Sequence, residues 1–262
     1  MNYAYVTINV LDMWAEPSFD SERVNQVLFG EILKFQGDAT GTFLSAIEAD
    51  GYQGWVDKRL VKEIDDNTAI GYPKRSTCRV NTATAEIADG AAPFFLYYGT
   101  KLVCIRDEAD NKLCQLPDGN EIKLKANQVT RLGGTKDERV DGLNVVGEAR
   151  KFLGVPYLWG GITSAGVDCS GLVQIVFARF GTRLPRDTKD QVNCGHPVDR
   201  TETEPGDLLF FDRHVAIDMG DNMIIHASRA EGGVRISSLA EKDENYRRDL
   251  DNKFAAARRV IC

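Results

Sequence analysis

The chain repeats itself once within its first half, and the length of that repeat narrows the folds open to it. Phe29-Gly30-Glu31-Ile32-Leu33 returns as Tyr98-Gly99-Thr100-Lys101-Leu102, an offset of 69 residues. The stretch Glu48-Ala49-Asp50-Gly51 through Val61 (EADGYQGWVDKRLV) returns as Leu116-Pro117-Asp118-Gly119 through Val129 (LPDGNEIKLKANQV) at an offset of 68. Each copy reads as strand, Asp-Gly turn, strand and a short polar turn ending in Val. A period near 68 residues is far too long for a solenoid unit and suits a self-contained small barrel of about five or six short strands. Two small β-modules are therefore expected, at 1–65 and 66–133.

The remaining 129 residues read differently, with two helical periods followed by strands. The boundary falls in Leu132 to Asp141 (LGGTKDERVD), glycine-bearing and charged as a linker or exposed loop should be. With 43% hydrophobic and 27% charged residues the chain is an ordinary globular protein with enough apolar content for real cores. Its net charge of 32 − 39 = −7 argues against nucleic acid or an anionic membrane as a main partner. No run approaches the ~18 apolar residues of a membrane span, and Met1 to Val10 lacks the basic start and apolar stretch of a secretory leader. The expectation is a cytoplasmic monomer. Six cysteines are too sparse for a disulfide scaffold, and no CxxC pair marks a zinc ribbon. Cys78, Cys104, Cys114, Cys194 and Cys262 read as reduced core thiols, with no metal or cofactor expected.

Asn144 to Phe152 carries apolar residues at a helical period, and Gly154 and Pro156 end it. After the loop Tyr157-Leu158-Trp159-Gly160-Gly161, Asp168-Cys169-Ser170-Gly171 opens a second helix with one apolar face and Gly181 as its stop. Cys169 then sits in the first helical turn, where unpaired backbone N–H groups and the helix dipole lower a thiol pKa toward the nucleophilic thiolate. Asp168 is the natural N-cap.

A cysteine nucleophile needs a base, and the chain has His196, His214 and His226. His196 lies in a polar loop and reads as surface. His214 and His226 lie on the two arms of one hairpin around Gly220-Asp221-Asn222. Their spacing of 12 puts both imidazoles on one face only if the connecting loop is odd in length. In that case His214 pairs with Cys169, and His226 bonds the far nitrogen of His214 and fixes its tautomer. Cys169, His214 and His226 are also a possible zinc trio, but no ligand-pair motif accompanies them.

Gly51-Tyr52-Gln53-Gly54-Trp55-Val56 resembles the ending of bacterial SH3-like modules; the second copy fits loosely, with Asn120-Glu121-Ile122-Lys123 in place of the aromatic pair. Further along, Pro156-Tyr157-Leu158-Trp159-Gly160-Gly161, Asp168-Cys169-Ser170-Gly171-Leu172-Val173, Leu184-Pro185-Arg186-Asp187-Thr188, Pro205-Gly206-Asp207-Leu208 and His214-Val215-Ala216-Ile217 resemble the NlpC-type cell-wall cysteine peptidases in order and spacing. The resemblance covers about residues 140 to 262. It implies an α+β fold, a papain-like peptidase domain over 134–262 preceded by two all-β SH3-like barrels.

The same resemblance implies Cys169 as nucleophile, His214 as base and His226 as the orienting residue. It places Tyr157 beside the oxyanion site, where its hydroxyl and the Cys169 N–H would stabilise a tetrahedral intermediate. Two SH3-like modules before such a domain are similar to the γ-D-glutamyl-L-diamino acid endopeptidases that recycle murein peptides with a free N-terminal L-Ala. In that group a carboxylate and a tyrosine of the first module join an aspartate next to the nucleophile and hold the substrate ammonium. The counterparts here are Glu16, Tyr52 and Asp168. Ser170, Trp159, Asp187 and Thr188 are the further substrate-binding candidates, and Arg186 is either a carboxylate partner or a solvated charge. Two other classes stay open: a wall-binding protein with an inert C-terminal domain, and an amidase or acyltransferase on the same scaffold.

Overall fold

The computed structural model of the chain describes residues 2–87, 95–132 and 141–261. The chain divides into two compact units, residues 1–136 and 137–262. The expected linker falls largely on residues 133–140, and with Cys262 these lie outside the described residues.

The first unit opens with seven strands: β1 (Tyr3–Val6), β2 (Val10–Trp14), β3 (Arg23–Leu28), β4 (Ile32–Thr40), β5 (Phe43–Ile47), β6 (Gln53–Asp57) and β7 (Val61–Ile64). They form one antiparallel sheet in the order β3-β2-β6-β5-β4-β1-β7. Helix α1 (Asp66–Arg75) follows, then β8 (Cys78–Val80), β9 (Thr84–Glu86), β10 (Phe95–Tyr97), β11 (Lys101–Glu108), β12 (Asn111–Gln115), β13 (Glu121–Lys125) and β14 (Val129–Arg131). These give a five-stranded sheet, β13-β12-β11-β8-β14, and the ribbon β10-β9.

The sequence echo is structural. Gly30 and Gly99 both take positive φ (78° and 91°) at the entrance to the long strands β4 and β11. The polar turns are 3-10 turns at Lys58–Leu60 and Ala126–Gln128, 68 residues apart. The two modules nevertheless share a core. Phe29 of the first packs with Val80, Leu102 and Leu124 of the second, while Tyr5 and Lys62 both bond the Asp118 carboxylate, at 2.8 and 2.7 Å. Helix α1 was not expected. Only Ala69 and Tyr72 are buried along it, so its apolar period is weak, and its start depends on Asp65 accepting the Thr68 N–H at 3.0 Å.

The second unit comprises α2 (Gly142–Arg150), β15 (Ile162–Thr163), β16 (Gly166–Val167), α3 (Cys169–Ala178), α4 (Thr188–Gln191), β17 (His196–Val198), β18 (Leu208–Phe211), β19 (His214–Gly220), β20 (Met223–Ser228), β21 (Gly233–Ser238), α5 (Arg248–Asp251) and β22 (Ala256–Arg259). Its main sheet runs β17-β22-β18-β19-β20-β21. The apolar stripe of α3 is buried against it through Leu172, Val173, Val176 and Phe177. No described helix is long and apolar enough to cross a membrane.

Candidate active site

Cys169 is the first residue of α3, and Asp168 caps that helix by accepting the Gly171 N–H at 2.7 Å. The loop Trp159-Gly160-Gly161 lies directly on this first turn. A Cβ at Gly171 would come within 2.2 Å of the Gly161 carbonyl oxygen, so only glycine fits. Gly160, at φ 77°, turns its N–H onto Asp168 Oδ2 at 2.8 Å.

The Asp168 carboxylate is therefore fully engaged. Besides the Gly171 and Gly160 N–H groups, Arg186 donates to Oδ1 at 3.1 Å and Oδ2 at 2.6 Å, and Ser170 Oγ donates to Oδ1 at 3.2 Å. Five donors meet about four lone-pair sites, and Asp168 and Arg186 are only 5% and 2% exposed. Asp168 is thus a helix cap and the partner of Arg186, and Ser170, which also accepts from Arg186 Nη1 at 2.8 Å, belongs to the same buried network. Arg186 is a buried carboxylate partner, not a solvated charge.

The hairpin brings the two histidines together by a route the sequence reading did not foresee. Its connection is the two-residue turn Asp221-Asn222, both at positive φ (52° and 59°), as a primed turn requires. An even loop alone would put His226 on the opposite face from His214. A bulge at Met219 supplies the missing residue, shifting the register between Asp218 and Gly220. As a result His214 Nε2 lies 2.8 Å from His226 Nδ1, and His226 Nε2 lies 3.0 Å from Ser237 Oγ. One proton arrangement makes His214 Nδ1 a base: His214 Nε2–H donates to His226 Nδ1, and His226 Nε2–H donates to Ser237.

The Val215 N–H bonds the Cys169 sulfur, so the start of β19, which carries His214, meets the first turn of α3. The thiol is also 3.8 Å from Thr188 Oγ1. Its electrostatics differ from the expectation. Burial first, then the Asp168 charge, push the thiol pKa up, and the Val215 N–H, the Thr188 hydroxyl and the Ser170 N–H only partly oppose them. Burial likewise holds His214 down to about 3 and His226 to about 4, with Arg247 adding to both. The resting pair is a neutral thiol beside a neutral imidazole.

That state has a measurable consequence. Unfolded histidines titrate near 6.5 and the folded pair near 3 and 4, so between these limits the unfolded chain binds more protons. Stability is expected to rise with pH through that window and to fall as pH drops from 6.5 toward 4. Thermal unfolding of the wild type and His226→Gln from pH 4.5 to 7.5 checks this: the variant should show a slope shallower by up to about 1.4 kcal/mol per pH unit. Coincident slopes would mean that His226 is not buried neutral.

Tyr157 is half-buried; burial first, then the nearby Cys169 and Asp168, raise its pKa, so its hydroxyl remains a donor. Trp159 is 52% exposed on the loop over α3. Asp187 precedes α4 without capping it through its side chain and lies 3.6 Å from Lys189. His196 is exposed on β17. In the other unit, Glu16 is an exposed loop residue whose N–H donates to Ser21, and Tyr52 packs on its own module's core with its hydroxyl 3.4 Å from the Val24 carbonyl.

Two site residues escaped sequence reasoning. Ser237 lies two strands beyond His214 with no local motif. Gln191 is fully buried and donates to the Ser170 and Pro185 carbonyls at 3.0 and 2.9 Å, tying α4 to the nucleophile turn.

Residues 154–249 match the model of the NlpC/P60 family, and residues 13–59 match that of the bacterial dipeptidyl-peptidase Sh3 domain. A Bacillus subtilis (strain 168) protein named gamma-D-glutamyl-L-lysine dipeptidyl-peptidase is 38% identical over 238 residues, 82% of this chain and 76% of that one. A Bacillus cereus protein of the same name is 32% identical over 206 residues, 72% of this chain; the match spans only 60% of that relative's length. The crystal structure of an NlpC/P60 family protein from Bacillus cereus superposes with a TM-score of 0.85 over 99% of this chain and all of that one, at 23% identity, a likeness of fold.

Proposed function

Because the chain belongs to the NlpC/P60 family of cysteine peptidases, we propose that it hydrolyses the γ-D-glutamyl bond to the diamino acid in murein stem peptides with a free N-terminal L-Ala, in recycling of wall fragments. The observation that carries the chemistry is the His214–His226–Ser237 chain on the strands packed against α3, whose first residue is Cys169; in this reading His214 Nδ1 is the unprotonated nitrogen that serves the thiol. The names of the two Bacillus relatives support the bond and the substrate class.

In this reading Cys169 sulfur attacks the γ-carbonyl carbon as its proton passes to His214 Nδ1. Proton transfer accompanies attack, since the resting thiol is neutral. His226 accepts the Nε2–H of the resulting imidazolium and holds the ring in place. The Cys169 N–H and the Tyr157 hydroxyl donate to the developing oxyanion. The C–N bond then breaks, His214 returns its proton to the departing amine, and water activated by the same nitrogen cleaves the thioester to release L-Ala-γ-D-Glu. Asp168, Arg186 and Ser170 hold the helix start without touching the reacting atoms.

Mass spectrometry of products from L-Ala-γ-D-Glu-meso-diaminopimelate and its N-acetylated copy tests the reading. Release of L-Ala-γ-D-Glu from the free peptide, with the acetylated copy slower by at least about a hundredfold, is expected. Equal cleavage of both removes the free N-terminus requirement. Cleavage at another bond favours an amidase, and no cleavage by protein with a reduced thiol favours a wall-binding role.

A further inference from the structure

Three of the described cysteines, far from the peptidase site in sequence, converge in the second β-module. Cys78 on β8, Cys104 on β11 and Cys114 on β12 come from three neighbouring strands, and their sulfurs all lie within 4.8 Å of one another. The Cys78 and Cys114 sulfurs are 3.9 Å apart. A tetrahedral zinc ion with Zn–S bonds near 2.3 Å sets its sulfurs about 3.8 Å apart. Backbone geometry favours the convergence: the register places Cys104 directly opposite Cys114, and a bulge immediately afterwards turns Ile105 outward, 44% exposed.

The surroundings are not those of three inert core residues. Cys78 and Cys114 are fully buried, whereas Cys104 is part-exposed and its thiol is 3.8 Å from Asp107 Oδ1. Lys112 and Arg131 bond the same carboxylate at 2.6 and 2.8 Å and stand near the thiols. We propose that Cys78, Cys104 and Cys114 bind one thiophilic cation of the zinc(II) class, with the fourth position taken by water or Asp107 on the Cys104 side. Thiolates select such ions over magnesium and calcium, which require oxygen ligands. Binding releases up to three thiol protons, and the resulting centre, one dication and three thiolates, carries a single negative charge that Lys112 and Arg131 face. The ion would clip β8, β11 and β12 together, in a module of a size at which apolar burial alone stabilises weakly.

The test uses the full chain with Cys169→Ser, so that the peptidase thiol does not compete, stripped of metal and kept reduced. Cadmium(II) is the probe. A thiolate-to-metal charge-transfer band saturating at one cadmium per chain, displaced by zinc(II) but not by magnesium or calcium, is expected, with a rise in Tm on zinc addition. Adding Cys104→Ser, at the part-exposed position that folding tolerates best, should weaken cadmium binding by more than about a hundredfold, beyond what an outer-shell change alone brings. It should also remove the Tm rise, while Cys194→Ser leaves both intact. Absence of a saturable band, undiminished binding in the Cys104→Ser protein, or loss of binding in the Cys194→Ser protein would overturn the site.

Discussion

Replacing Cys169 with alanine is expected to lower kcat on L-Ala-γ-D-Glu-meso-diaminopimelate by a factor of about 10⁴ or more, with KM little changed. The thiol forms the bond that divides the reaction in two, and no described neighbour offers a substitute. Thr188 Oγ1 lies 3.8 Å from the sulfur, but an unactivated hydroxyl is a far weaker nucleophile than a thiol. His214→Ala should cost nearly as much, and the double variant little more, because nucleophile and base act as one unit. Product formation followed by mass spectrometry, with Tm confirming the fold, settles the point. Residual activity within tenfold of wild type would place the nucleophile elsewhere.

The second large effect is on stability. Arg186→Met leaves the Asp168 carboxylate buried against neutral donors only, and breaking a buried pair this way typically costs about 3–5 kcal/mol. Asp168 is 5% exposed and Arg186 2%, so little solvent screening reduces that figure. Because the same carboxylate caps α3, the loss should appear as faster amide hydrogen exchange over residues 169–178 along with a lower denaturant midpoint. Asp168→Asn combined with Arg186→Met removes the stranded charge and should be more stable than Arg186→Met alone. A cost below about 1 kcal/mol would mean that the ion pair behaves as an exposed one.

Much of the site was legible because it is local. Cys169 follows its N-cap and precedes the glycine that the Gly161 carbonyl requires, so a few consecutive residues specify a helix-start thiol. The small-module repeat was legible for a similar reason, as the positive-φ glycines and polar turns recur at nearly one offset. Sequence reasoning failed where one residue of register or one long-range pairing decided the outcome. The Met219 bulge, not an odd loop, sets His226 beside His214. The helix dipole argued for an acidic thiol, but burial and Asp168 outweigh it in the folded protein. Arg186 stayed open between a carboxylate partner and a solvated charge, because nothing in Leu-Pro-Arg-Asp-Thr shows that it turns inward onto a carboxylate 18 residues earlier.

The sequence alone determined the class of architecture, the cysteine at a helix start and the pair of histidines on one hairpin, since periodicity, caps and turn residues act over a few positions and carry their own physical signal. The tertiary structure alone decided the hydrogen-bonded chain from His214 to Ser237, the burial that keeps the thiol and imidazoles neutral, the pairing of Asp168 with Arg186 and the meeting of Cys78, Cys104 and Cys114. Each of these depends on distance and burial between residues far apart in the chain, and local sequence has no means of recording such quantities.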